Sequence, residues 1–302
     1  MDCAVCRRMI RVIYDGNLGN KLFQYCFGRI LAERLGYRLT ADPIAGFPGT
    51  FDVVAGKSYH SDVPLVLRGQ RPDLGFLDGS DPESEIVLTG YFQRYEYYEA
   101  RALDVRRWLR MDVDPCGLSI GDRDVVVGIR RGRDYIPRHG IPLSYFEEAL
   151  RHLDHDKVYI CTDVLTDPLV RDLAKRHNAI VRPPDALDNL AFITRFEKIV
   201  ISNSTFLWWG AFLSNAREVV FPRPANGYWS DAEPLSKNIA LEISDPQYIY
   251  LSCELYRSEF LSEHMHNVYD GAIAGFKGWV RPLLAKIRNA KPRESRWVFH
   301  ED

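Results

Sequence analysis

Short apolar, β-branched runs punctuate the chain at Ile10–Tyr14, Ile86–Thr89, Val125–Ile129, Val158–Cys161, Ile199–Ser202 and Glu218–Phe221. Each has the length of a strand and is too short for a buried helix. Between several of them the spacing of apolar positions changes. Lys21 to Leu35 carries Leu22, Phe23, Phe27, Ile30, Leu31 and Leu35 near a period of about 3.6, and Gly36 stands where such a helix stops. Ser144-Tyr145-Phe146-Glu147 is a capping-box pattern that opens a second helix. Asp167-Pro168 supplies an N-cap and a first-turn proline to a third, and Asp185 to Phe196 reads as a fourth. Strands that alternate with helices predict parallel α/β layers. The turn-rich stretch Asp112 to Asp122 precedes the strongest strand and sets the expected boundary. That divides the chain into a first unit over 1–118, a second over 119–255 and a basic helical segment over 256–302.

Length and charge narrow the function. At 302 residues the chain suits two units of ordinary size. Its 39 basic and 41 acidic residues speak against a dedicated nucleic-acid binder, while leaving room for a local anion site. No apolar run approaches the ~20 residues that span a bilayer. The opening MDCAVCRRMIRVIYDG lacks the apolar region of a secretory signal, so a cytoplasmic location is expected. Cys3 and Cys6 form a C-x-x-C, but no second pair completes a zinc set, and the six cysteines read as reduced thiols.

In an open parallel sheet, ligands bind beyond the carboxyl ends of the strands. Three strand ends here are unusual. Asp15-Gly16-Asn17-Leu18-Gly19-Asn20 joins a strand to a helix, with glycines that allow close approach and a helix start that favours an anion. It lacks the third glycine of a dinucleotide fingerprint and the Gly-Lys-Ser/Thr of a P-loop, so a simple tight turn competes with a ligand loop. Val125-Val126-Val127-Gly128-Ile129-Arg130-Arg131-Gly132-Arg133-Asp134 ends an apolar strand in positive charge. Alternation along the strand puts Gly128 and Arg130 on one face and Arg131 on the other. A guanidinium at a ligand-facing strand end suits phosphate oxygens. Ser202-Asn203-Ser204-Thr205 runs from a strand into an apolar helix, bringing hydroxyls and free backbone N–H groups to one point. Trp208 and Trp209 on that helix read as core.

Taken together these stretches resemble one family, the α-1,2-fucosyltransferases of glycosyltransferase family 11. GNLGNKLFQYCFGRILAERLG at 16–36 is similar to its G-G-L-G-N-Q-M-F-Q-Y-A-F, and TGYFQRYEYY at 89–98 to its G-Y-F-Q-S-x-x-Y-F. VVVGIRRGRDY at 125–135 resembles H-I-R-R-G-D-Y, and SNSTFLWWGAFLS at 202–214 resembles S-N-S-T-F-S-W-W-G-A-W-L. The resemblance implies two Rossmann-like α/β domains facing a crevice, the GT-B type. It implies transfer of L-fucose from GDP-fucose to the 2-hydroxyl of a galactose in a glycan acceptor, with inversion and no metal or other cofactor. On that reading Arg130 meets the diphosphate. Gly19, Asn20, Arg131, Arg133, Ser202, Asn203, Ser204 and Thr205 line the nucleotide-sugar site, and Gln93 contacts the acceptor or sugar. Asp134 is the candidate base for the acceptor hydroxyl, with ion pairing to the arginines as the rival role.

Three Asp-x-Asp pairs, at 112/114, 122/124 and 154/156, follow no convincing strand and read as loop charges rather than metal ligands. Gly128 stands where the resembled motif has histidine, Arg133 is inserted, and Lys21 replaces a glutamine. A vacancy at residue 128 on the ligand face is therefore expected, filled by Arg133, with Lys21 across the crevice or water as the other candidates. Other readings are a different donor or acceptor, a non-catalytic glycan- or nucleotide-binding relative, and a nicotinamide dehydrogenase using Asp42. Finally, Phe276, Trp279, Val280, Leu283, Leu284 and Ile287 share a helical face ringed by basic residues. Peripheral contact with the inner membrane face through residues 276–296 is expected, with packing onto the enzyme body as the rival.

Overall fold

The protein is described by a computed structural model over residues 9–51, 64–72, 74–75, 85–113, 118–132, 139–224 and 239–255. Strands β1 (Met9–Val12), β2 (Arg38–Thr40), β3 (Leu65–Leu67) and β4 (Ile86–Leu88) form a four-stranded sheet ordered β2-β1-β4-β3. Strands β5 (Val125–Ile129), β6 (Val158–Thr162), β7 (Ile180–Val181), β8 (Lys198–Ile201), β9 (Glu218–Pro224) and β10 (Tyr248–Cys253) form a six-stranded sheet ordered β10-β9-β8-β5-β6-β7. Every pairing is parallel. In both sheets the first strand lies inside and later strands flank it. Strand order therefore reverses between β1 and β4, and again between β5 and β8, which is where an open α/β sheet offers a crevice.

The expected strands all appear, with ends shifted by up to three residues. Helices α1 (Leu18–Leu35), α2 (Ala102–Trp108), α3 (Leu143–His152), α4 (Pro168–Arg176), α5 (Ala186–Ile193) and α6 (Thr205–Leu213) connect or cover them. Gly36 closes α1 at φ 67°, a left-handed conformation that glycine adopts without a Cβ penalty. Asp167 caps α4 by accepting from the Leu169 N–H, and Asp185 caps α5 through Asp188. The capping box at Ser144 does not form. Helix α3 starts one residue earlier, with Pro142 before it, and Ser144 lies inside the helix. Tertiary contact sets that start: Tyr145, fully enclosed, donates to the Ile201 and Val220 carbonyls.

Helices α1 and α6 each have a stretch buried on all sides, Leu22 to Gly28 in one and Leu207 to Phe212 in the other without a break. A helix apolar all round belongs inside, and these two lie against each other between the sheets. The Phe23 ring sits 5.0 Å from Trp208 and 4.6 Å from Trp209. One continuous core therefore joins β1, α1, α6 and the six-stranded sheet. Alternation along β5 divides its side chains: Val126 faces this shared core, whereas Val125, Val127 and Ile129 face a second core under α3 and α4. The chain after β9 returns to the first unit, where the Ala240 N–H donates to Gln93 and its carbonyl accepts from Tyr95. No helix among the described residues is long and apolar enough to cross a membrane. Residues 256–302, with the basic stretch over 276–296, lie outside the described residues, as do Cys3, Cys6 and Cys116.

Candidate active site

At the end of β5 the Arg130 N–H donates to Ser202 Oγ at 2.9 Å, and the Ser202 N–H donates to the Gly128 carbonyl at 2.9 Å. Ser202 thus ties the ends of β5 and β8 together at the reversal of strand order. The Arg130 guanidinium pairs with Asp163, just past β6, whose other oxygen accepts from the Arg131 N–H at 2.7 Å. Arg130 and Asp163 keep about a quarter of their side chains exposed, 28% and 27%. The Arg131 side chain is not part of that cluster. It turns to Asp167, Nε to Oδ2 at 3.0 Å, with the two side chains 10% and 7% exposed. Asp167 is also the cap of α4, so this second arginine ties the strand end to a helix start.

Ser204 precedes α6 without a side-chain capping bond, and Asn203 is fully buried in the turn. The first helical N–H groups of α6 have no intrahelical acceptor and carry the positive end of the helix dipole. Helix α1 begins beside them. An added Cβ on Gly19 would lie 2.5 Å from the Phe206 nitrogen and 2.7 Å from Thr205 Oγ1, so only glycine permits this approach. Trp209 Nε1 donates to the Gly19 carbonyl at 2.9 Å.

Asn20 gathers three distant parts of the chain. Its Oδ1 accepts from Thr205 Oγ1 at 3.1 Å and from Gln93 Nε2 at 2.9 Å. Gln93 is held in turn by Gln70, whose Oε1 accepts from the Gln93 N–H at 2.6 Å. The loop before it is forced into shape: Phe92 has φ 53°, a conformation that costs a non-glycine residue about 1–2 kcal/mol. The Phe92 ring stacks on Phe27 at 4.1 Å, and its carbonyl accepts from Tyr98 Oη at 2.7 Å. Burial pushes the Tyr97 hydroxyl up to about 12, so it stays a neutral donor to the Gln70 carbonyl.

Gly128 is corrected by this geometry. It is buried, and a Cβ there would meet Leu207 Cδ2 at 2.5 Å. Its face of β5 is covered by α6, so residue 128 leaves no vacancy toward a ligand: Leu207 fills the space. Arg133 and Asp134 lie outside the described residues. The Asp-x-Asp carboxylates that are described serve locally. Asp124 accepts from the Gly121 N–H, and Asp154 and Asp156 both pair with Arg123. Among the described residues no group of three His, Cys, Asp or Glu side chains could hold a metal ion. Sequence reasoning missed Asp163 and Gln70. Asp163 follows an apolar strand and could have been found by the rule that singled out Arg130. Gln70 carries no local signal.

Two Rossmann-like α/β units thus meet with their strand ends facing one another, the GT-B arrangement. No protein-family model matches the sequence, and no curated protein matches it. Among solved structures the chain is similar to a point mutant of Arabidopsis thaliana FUT1 in complex with GDP, at 12% identity and a TM-score of 0.45, over 72% of this chain and 71% of that one. It is similar to POFUT1 in complex with GDP-fucose, at 10% identity and a TM-score of 0.48, over 72% and 98%. It is similar also to NodZ α-1,6-fucosyltransferase soaked with GDP-fucose, at 13% identity and a TM-score of 0.40, over 70% and 94%.

Proposed function

We propose that the chain is a glycosyltransferase that moves L-fucose from GDP-fucose to the 2-hydroxyl of a galactose in a glycan, with inversion and no divalent metal. The observation that carries this reading is the convergence at Asn20. There a residue from the β1 crevice, one from the β4 loop and one from the β8 crevice share a single oxygen. A donor held at one strand end therefore faces an acceptor held at the other. As the sugar–oxygen bond breaks, negative charge builds on the leaving phosphate. Arg130 and the open N–H groups of α6 are positioned to meet it, and a fixed donor of this kind is worth ~10²–10³ in rate. Ser202 supports Arg130 by holding its backbone, and Asp163 orients its guanidinium.

A second reading, a transferase with a different nucleotide-sugar donor, is favoured by Gly128 and Leu207. They put an aliphatic side chain where the resembled motif has an imidazole, which removes one polar group from the neighbourhood of the donor. A panel of galactose-containing and other acceptors, each offered GDP-fucose and several other nucleotide sugars with EDTA present, separates the two. Fucoside formed at a galactose 2-hydroxyl supports the first reading, and transfer from another donor alone supports the second. Binding of GDP without turnover of any donor identifies a non-catalytic relative. The protein so read works in the cytoplasm, with the 276–296 segment resting on the inner membrane face, and takes no nucleic-acid partner. Equal liposome co-sedimentation of the full chain and of a form ending at Gly275 would remove the membrane contact.

A further inference from the structure

The transfer leaves one proton without a destination. The acceptor hydroxyl must lose it as its oxygen takes the sugar carbon, and inversion calls for a base on the acceptor side. Asp163 is occupied, one oxygen by the Arg130 guanidinium and the other by the Arg131 N–H. The opposite wall holds a different carboxylate. Asp15, half-buried at the end of β1, accepts a 2.6 Å hydrogen bond at Oδ2 from Tyr91 Oη, at the end of β4. Its Oδ1 has no hydrogen bond among the described residues.

The pair is framed from inside. Gln24 of α1, fully buried, accepts from the Asp15 N–H at 3.1 Å and donates through Nε2 to the Gly90 carbonyl at 3.1 Å. One amide thus fixes the residue that bears the carboxylate and the residue preceding Tyr91. Gly16, at φ 79°, then turns the chain so that its α-carbon lies against Asn20, where a Cβ would sit 2.3 Å from Nδ2. The carboxylate is therefore one residue from the contact that joins the two crevices. A surface aspartate needs no such frame, whereas a group that must meet a reacting atom does.

We propose that Asp15 is the general base of the transfer, with Tyr91 and Gln24 as its positioning residues; the assignment rests on the transferase reading above. The acceptor O–H proton passes to Asp15 Oδ1 while the acceptor oxygen bonds the anomeric carbon. The bond from that carbon to the donor phosphate oxygen breaks, and its electron pair leaves with the phosphate toward Arg130. Tyr91 holds the carboxylate by its other oxygen and takes no proton.

The test uses the full chain with GDP-fucose and phenyl β-galactoside, comparing wild type, Asp15→Asn, Tyr91→Phe and Asp134→Asn. GDP affinity is measured alongside by calorimetry. Loss of a general base should lower kcat by ~10²–10⁴ in Asp15→Asn, with GDP affinity unchanged within about threefold. Tyr91→Phe, which removes the charge-assisted hydrogen bond to Asp15, should lower kcat by about tenfold at unchanged KM. Azide is an acceptor that brings no proton, so Asp15→Asn should still form fucosyl azide, which a damaged fold would not. A loss below about threefold in Asp15→Asn overturns the assignment, as do failure to form the azide product and a base-sized loss in Asp134→Asn instead. A wild type that binds GDP and forms no fucoside from any acceptor fails the transferase reading itself, and the assignment with it.

Discussion

Both sheets reverse strand order beside their first strand, and the two reversals offer different chemistry. At the β5/β8 end the Arg130 guanidinium and the start of α6, which has no side-chain cap, supply positive charge beside the Asp163 carboxylate. At the β1/β4 end the Asp15 carboxylate presents an acceptor, with the start of α1 behind it. Reversal of strand order decides where a ligand can lie in both. The few residues after each strand decide what that place will tolerate: on the proposed reading, a leaving group that gains negative charge at one and a nucleophile that gives up a proton at the other. The same division recurs on a smaller scale in the two arginines. The Arg130 side chain is about a quarter exposed and shares a carboxylate, whereas Arg131 is sealed against a helix cap.

That contrast can be broken by substitution. Arg131→Ala strands the buried Asp167 charge and should cost about 3–5 kcal/mol of stability in urea unfolding. On the proposed reading Arg130→Ala should lower turnover by ~10²–10³, while loss of its partly exposed pair with Asp163 should cost less stability than loss of the buried Arg131 pair. If the two arginines proved interchangeable in these assays, the division between them would be wrong. Gly19→Ala drives a methyl into the backbone of α6 and should destabilise by about 1–3 kcal/mol, read as a lower denaturation midpoint at unchanged slope. Gly128→His meets the side chain of Leu207 rather than backbone and should cost at the upper end of the same range or beyond, about 3 kcal/mol, with no gain in GDP affinity by calorimetry. The smallest effect is a protection. Burial pushes the Cys161 thiol up to about 12 and raises Cys26 well above its ordinary value, so neither is a thiolate at pH 8 in the native protein. These thiols lie in different units within one continuous core. Alkylation followed by peptide mapping should show both becoming reactive at the same urea concentration, and separate midpoints would mean that the units unfold independently.

Much of this arrangement was legible in the chain because it is local. An apolar run that stops in Arg130, or in Ser202-Asn203-Ser204-Thr205, announces a strand end with polar business beyond it. Asp167-Pro168 and Gly36 mark helix ends by their own backbone preferences. Other features were not legible, for two physical reasons. Strands β2, β3 and β7 have only two or three residues, too few to show alternation, and they exist because a neighbour supplies the ladder. Pairings between distant segments leave no mark on either segment alone. Nothing near Gly128 says that Leu207 will sit over it, and nothing near Gln70 says that it will steady Gln93. The capping box at Ser144 failed for the related reason that Tyr145, anchored under two strands, outweighs a local cap.

The crossing of α1 and α6 also restricts how the molecule can move. Parting the two units like a clamshell would strip Phe23 from Trp208 and Trp209, break the bond from Trp209 to Gly19 and expose a core that is fully closed. A rotation about the line of contact keeps those rings together. The helix pair therefore acts as an axle. A small twist around it is the relative motion of the two units that sacrifices the least buried contact, and the bonds of Asn20 lie close to that line.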